Sequence, residues 1–193
     1  MQLKKIDILE FKKVIYSDYK KIFPSIERKS YRTIKKLYNN NMSDIIGIIQ
    51  DNKLVGFIII NTIEDNLYAI LDYFAILPKY QGKGYGTEAI KLLKEMYKEY
   101  NGIYIEIEKI ETAKTEEEMH IRKRRANFYE NLGFIKMKFD LDLFFVIYST
   151  YILPCKVDKF TDREAIDEIF KIYRATIGEK RTEKYCKLLE EEK

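Results

Sequence analysis

The chain has 193 residues, of which 46% are hydrophobic, 34% charged and 14% aromatic; this is enough apolar material for one core, and it excludes a disordered chain. Three Pro and eight Gly exclude collagen-like or linker-dominated chains; no apolar run reaches the roughly 18 residues of a membrane span, and MQLKKIDILEFKK has no apolar segment ahead of a cleavage site, which points to the cytoplasm. The formal charge, 35 Lys and Arg against 31 Asp and Glu, is only +4; that is too mild to indicate nucleic acid by itself and leaves anionic small molecules as partners.

In chain order, the first forty residues read as two helices. Ile8, Phe11, Ile15, Tyr19 and Ile22 recur at helical spacing until Pro24, and Ile34, Leu37 and Tyr38 follow Ser30. IIGIIQ (45–50), DNK and LVGFIIINT (54–62) form a hairpin, and LYAILDYFAI (67–76) is a strand apolar enough for burial on both faces. A helix runs from Thr87 to about Tyr100, then a strand at 103–108, then a helix opened by the capping box Thr115-x-x-Glu118 and closed by Gly133. Strands at about 134–139 and 143–153 complete the series. Beyond Val157, a second capping box at Thr161 opens an amphipathic helix, Gly178 breaks it, and a charged last helix runs to Lys193. The domain division is 1–153, with 154–193 as a C-terminal helical extension, either a packed appendage or a dimer element.

Two classes of chemistry lack support. Cys155 and Cys186 have no neighbouring Cys or His at metal-ligand or redox spacing, so they are free thiols and no metal is expected. His120, the only histidine, lies in a charge-rich stretch without a GxSxG partner motif, which places it on a solvated face.

The informative segment is Gln81-Gly82-Lys83-Gly84-Tyr85-Gly86-Thr87, between a buried strand and a helix start. Glycines let a ligand approach the main chain, and a helix N-terminus adds partial positive charge, so the segment has the form of a pyrophosphate cradle; the alternative is a tight turn. Lys83 precedes Gly84 instead of following the last glycine, which fails the GxxxxGK[ST] pattern. The Gly82-x-Gly84-x-Gly86 spacing after a hairpin also fails the dinucleotide fingerprint.

The pattern Gln-x-x-Gly-x-Gly, within LDYFAILPKYQGKGYGTEAIKLL, resembles the acyl-CoA loop of the GNAT superfamily of N-acetyltransferases. RRANFYENLGF (124–134) resembles that family's second motif, and the element order over residues 1–153 fits as well. The resemblance implies an α/β (α+β, three-layer) fold: a mixed, mostly antiparallel twisted sheet flanked by helices. It implies that the main chain of Phe74 and Ile76 bonds the pantetheine arm, that amides from Gln81 to Gly86 hold the pyrophosphate with Thr87 at the helix start, and that Lys83 adds a charge contact. Tyr129 matches the tyrosine that serves as general acid toward the departing thiolate, or else is a packed core aromatic. Arg122 stands where the family has a frequent asparagine, and Arg124 and Arg125 either reach phosphates or balance Glu116 to Glu118.

An amine protonated at neutral pH, with a reference pKa near about 10.4, must lose a proton before it attacks a thioester. Glu106 and Glu108, two apart in one strand and so on one face, suit that base if each raises the pKa of the other; otherwise they are a solvated face. Asp72, alone in the most apolar strand, is a second candidate or satisfies a buried neighbour. These residues lead to an acetyl-CoA-dependent N-acetyltransferase acting in a ternary complex on a primary amine, small molecule or peptide, as monomer or homodimer, with neither membrane nor nucleic acid as partner. The rivals are a noncatalytic acyl-CoA-binding sensor and nucleic-acid binding through the Lys-rich helices and residues 122–125.

Overall fold

A computed structural model describes residues 1–157 and 159–190 of the chain. Eight strands follow the hydrogen-bonded order β1-β2-β3-β4-β5-β7-β6-β8, and six helices flank them among the described residues. The strands are β1 (Gln2–Lys5), β2 (Ser43–Gln50), β3 (Lys53–Asn61), β4 (Tyr68–Ile76), β5 (Gly102–Glu108), β6 (Ile135–Leu143), β7 (Val146–Pro154) and β8 (Cys186–Glu190). The β4–β5 ladder is parallel, whereas β1–β2, β2–β3, β5–β7, β6–β7 and β6–β8 are antiparallel, so the sheet is mixed and mostly antiparallel, as expected. The contacts divide into two compact units, residues 1–65 with 71–96, and residues 66–70 with 97 onward.

In the first unit, α1 spans 8–22, with a π-helical middle at Phe11–Ile15. The Asp7 carboxylate caps it by accepting from the amides of Leu9 and Glu10 at 2.7 and 2.9 Å. Ser30 caps α2 (Tyr31–Asn39) by accepting from the Thr33 amide. Their apolar faces, Phe11, Ile15, Tyr19 and Ile34, close a core with Ile45, Phe57, Ile59, Tyr73, Ala75 and Leu77. The β2–β3 turn uses Asp51 and Asn52 at φ 50° and 59°, residue types that tolerate the left-handed region. α3 (Tyr85–Met96) buries Ala89, Ile90 and Leu93; it stops four residues before the expected end at Tyr100. The first four-residue strand, β1, stands where the sequence suggested only helix. Two of its residues are lysines, and it forms because β2 offers it an edge.

In the second unit, Tyr68–Ile70 of β4 pairs with Gly102–Tyr104 of β5. α4 (Glu116–Glu130) begins at Thr115, whose hydroxyl accepts from the Glu118 amide at 3.1 Å. α5 (Asp162–Ile177) begins at Thr161 in the same way and buries Ala165, Ile169, Ile172 and Tyr173. α6 (Glu179–Tyr185) is short, and the chain then turns extended: β8 pairs with β6 from Leu143↔Cys186 to Phe139↔Glu190. The expected helix to Lys193 is therefore corrected to one helix of seven residues and a strand, and residues 191–193 lie outside the described residues. The open edge of β6 satisfies the backbone of 186–190, which outweighs the helical preference of a Lys- and Glu-rich segment. This unit takes in α5, α6 and β8 together with β5 to β7. No helix among the described residues is long and apolar enough to cross a membrane.

Candidate functional site

At the end of β4, a 3₁₀ turn (Pro78–Tyr80) leads into the glycine loop. Gly82 and Gly84 sit at φ +75° and +77°, conformations that favour glycine, and a Cβ built on either meets no atom within 4 Å. The main chain therefore faces open space at both positions, which is what a bound pyrophosphate needs. The Gln81 side chain folds back to donate to the Ile76 carbonyl at 3.0 Å, tying the loop to the strand. The Glu88 amide donates to the Gly84 carbonyl at 3.2 Å, so the amides of Tyr85, Gly86 and Thr87 lie in the first turn of α3, where a helix offers no acceptor of its own. Lys83 is exposed, with its ammonium 5.8 Å from the Tyr80 ring, and Lys79 lies 4.8 Å from the same ring. Lys79 was not singled out from the sequence, yet it adds a second positive charge beside the loop.

The Leu77 amide donates to Val55 of β3 at 2.9 Å. By alternation along the strand, the backbone groups of Phe74 and Ile76 point to the edge of β4 away from β3. Asp72, also on β4, forms an ion pair with Lys29, a residue of the loop between α1 and α2. The Lys29 amide donates to the Tyr73 hydroxyl at 2.9 Å, and that hydroxyl donates to the Glu27 carbonyl at 2.7 Å. Tyr19 donates to the Lys29 carbonyl at 3.1 Å. Burial first, and the Asp72 charge second, push the Tyr73 phenol far above its usual range. Asp72 thus holds a cation and anchors a loop.

In the second unit, Glu106 and Glu108 are both half-buried on one face of β5. The Tyr173 hydroxyl of α5 donates to Glu106. Glu108 accepts from Arg122 at 3.1 Å and Arg125 at 3.3 Å, so two guanidiniums offset the charge that Glu106 was expected to feel. Arg122 also donates to the Lys109 carbonyl and the Thr112 hydroxyl, at 2.8 and 2.9 Å, which ties α4 to the loop before it.

Tyr129 lies near the end of α4, with its ring edge-on to Phe128 and Phe134, both at 5.1 Å. Its hydroxyl has no hydrogen-bond partner among the described residues. Burial pushes its phenol up to about 12, while the Arg125 charge pulls the other way. His120 is exposed on α4, Cys155 and Cys186 are free thiols, and no group of three or more His, Cys, Asp or Glu that could hold a metal occurs among the described residues.

Two partners escaped the sequence reading, Lys29 for Asp72 and Tyr173 for Glu106. They lie 43 and 67 residues from the carboxylates they meet, with no local motif to announce them.

The sequence model of the acetyltransferase (GNAT) family matches residues 12–134. No curated protein sequence matches the chain. Among solved structures, a GNAT-family protein from Bacteroides thetaiotaomicron superposes with a TM-score of 0.75 at 19% identity, covering 93% of this chain and 99% of that one. The spermidine N-acetyltransferase of Vibrio cholerae, solved with CoA and spermine, gives 0.60 at 14% identity over 80% and 95%. The ribosomal-protein-S18-alanine N-acetyltransferase of Escherichia coli gives 0.58 at 15% over 82% and 96%. At these identities the likeness to the solved structures concerns the fold.

Proposed function

Because the chain belongs to the acetyltransferase (GNAT) family, we propose that it transfers the acetyl group of acetyl-CoA to a primary amine by direct attack in a ternary complex. The observation that carries this reading is the loop from Gln81 to Thr87, whose two left-handed glycines leave the main chain open just before a helix start. Its amides suit the pyrophosphate, with Lys83 as a charge contact, and the main chain of Phe74 and Ile76 suits the pantetheine arm. Acetyl-CoA supplies an activated thioester, so the protein's own work is to position, to remove one proton and to stabilise charge.

The proton to be removed is on the acceptor ammonium, and one of the carboxylates Glu106, Glu108 and Asp72 takes it. Backbone amides near the end of β4 suit the tetrahedral oxyanion. The Tyr129 phenol, raised to about 12, stays protonated at neutral pH. A thiol reference lies near about 8.5, so full transfer of the phenol's proton to the thiolate runs uphill. Tyr129 therefore helps as a hydrogen-bond donor while the charge develops, and solvent completes the protonation. The carboxylates favour a cationic acceptor: a polyamine, an aminosugar, or the Lys or N-terminal amine of a peptide.

The test is CoA-thiol release from acetyl-CoA with spermine, glucosamine and an alanine-terminated peptide. Saturable release with one amine supports the reading. Binding of acetyl-CoA with no release from any amine would make the protein a noncatalytic acyl-CoA binder.

A further inference from the structure

We propose that Arg125, one helical turn before Tyr129 on α4, is a positioning residue: held by Glu108, its guanidinium stabilises the negative charge that the Tyr129 phenol shares with the departing thiolate. The inference rests on the reading that Tyr129 donates to that thiolate. Three observations carry it.

The first is geometric. Both residues lie on α4, and residues four apart in a helix share a face, with Cβ atoms about 5–6 Å apart. Helical side chains lean toward the N-terminus, so the Tyr129 ring leans toward the turn that holds Arg125. The guanidinium is fixed from its other side: it donates to the Glu108 carboxylate of β5 at 3.3 Å. A long side chain that could swing into solvent is thus tethered beside the phenol.

The second observation is that Arg125 is a second cation on a carboxylate that already has one. Arg122 donates to Glu108 at 3.1 Å and is anchored by the Lys109 carbonyl and the Thr112 hydroxyl, at 2.8 and 2.9 Å. The Arg122 side chain is 11% exposed and that of Arg125 48%. One carboxylate charge meets two guanidinium charges there. Removing Arg125 therefore leaves α4 tied to β5 and leaves Glu108 paired.

The third is electrostatic. Burial pushes the Tyr129 phenol up, and Arg125 is the charge that pulls it down. As the thioester C–S bond breaks, its electron pair goes to the CoA sulfur. The phenol shares its proton with that sulfur, and solvent completes the protonation. A cation beside the phenol oxygen stabilises the charge left there as the proton moves, and a guanidinium does so without giving up a proton of its own.

The experiment is a double-mutant cycle in kcat and in KM for acetyl-CoA, with the amine that gives fastest CoA release in the panel above. It compares the parent, Arg125→Gln, Tyr129→Phe and the double variant, with Arg125→Lys as the rescue. Arg125→Gln should lower kcat about tenfold, one of the roughly two decades expected of Tyr129→Phe, and leave KM within about twofold. In the Tyr129→Phe background the same substitution should change kcat by less than about twofold, because no phenol remains to act through. Arg125→Lys keeps the charge and should stay within about threefold of the parent. Suppose Tyr129→Phe is slow, yet Arg125→Gln leaves kcat unchanged, raises KM alone, or lowers kcat by one factor in both backgrounds, as it would in acting through Glu108. The inference then falls and the reading of Tyr129 stands. An Arg125→Lys variant as slow as Arg125→Gln overturns it too, since the charge would not be what acts. If Tyr129→Phe keeps the parent's kcat, the reading of Tyr129 falls and the inference with it. No release from any amine of the panel removes both.

Discussion

Replacement of Gly84 tests the loop most directly, because its two costs separate. Gly84 lies at φ +77° with no atom within 4 Å of an added Cβ, so an alanine meets no clash and the expense is backbone strain alone. For an L-residue in the left-handed region that strain is about 1–2 kcal/mol. In a domain of this size, each kcal/mol corresponds to roughly 2–4 °C in Tm, so Gly84→Ala should melt about 2–8 °C below the parent. Gly178→Ala is the control, at φ +94° and equally open, in the second unit. Acetyl-CoA at a hundred times its Kd adds about 2.7 kcal/mol to a folded state that binds it. Melting with and without acetyl-CoA should show the full upward shift in the parent and Gly178→Ala, a smaller one in Gly84→Ala and none in Gly84→Glu. In the last, a carboxylate occupies the space in front of the amides and repels the phosphates. A Gly84→Glu variant stabilised as much as the parent would show that the loop is only a turn.

Three further outcomes are expected. Tyr129→Phe should lower kcat roughly 10²-fold with little change in acetyl-CoA affinity, since the ring packing on Phe128 and Phe134 remains; unchanged kcat would return the residue to the core. Asp72→Asn leaves the partly buried Lys29 without its counter-charge and should cost about 1–3 kcal/mol in urea unfolding, whereas a neutral result would mean that the pair does not hold the loop between α1 and α2. The phenols of Tyr19, Tyr129 and Tyr151 are each pushed up to about 12, burial being the first cause in every case, so the folded state holds protons that the unfolded chain releases near pH 10. Stability from these groups is intact below about pH 10 and falls between about pH 10 and 12, by at most about 1.4 kcal/mol per pH unit for each phenol. Urea titrations across that range should show the slope, and Tyr19→Phe should reduce it.

What the chain reveals before folding is what neighbours in sequence decide. The caps at Ser30, Thr115 and Thr161 and the glycine loop depend on residues a few positions apart, and each stands where its pattern placed it. The two edge strands are different. Gln2–Lys5 and Cys186–Glu190 become strands only because β2 and β6 present unpaired backbone, and that information lies some 45 residues away in each case. The candidate carboxylates show the same division. Their positions on β4 and β5 follow from strand periodicity, while the Lys29 ammonium that meets Asp72 and the Tyr173 phenol that meets Glu106 arrive through tertiary packing.

The late position of β8 also bears on how the protein is made. The first unit is complete in sequence at residue 96, whereas the second needs the chain up to residue 190, 94 residues later. At about 5–20 residues per second, that interval lasts roughly 5–19 s, during which the first unit can fold beside a growing chain. β6 and β7 are finished at Pro154, yet the strand that covers the far edge of β6 ends 36 residues further on, so that edge stays bare for roughly 2–7 s of synthesis. An unpaired edge recruits other strands, including those of neighbouring nascent chains. β8 is therefore a lock that closes after β6 and β7, and the interval before it closes is when the chain most needs protection from its own copies.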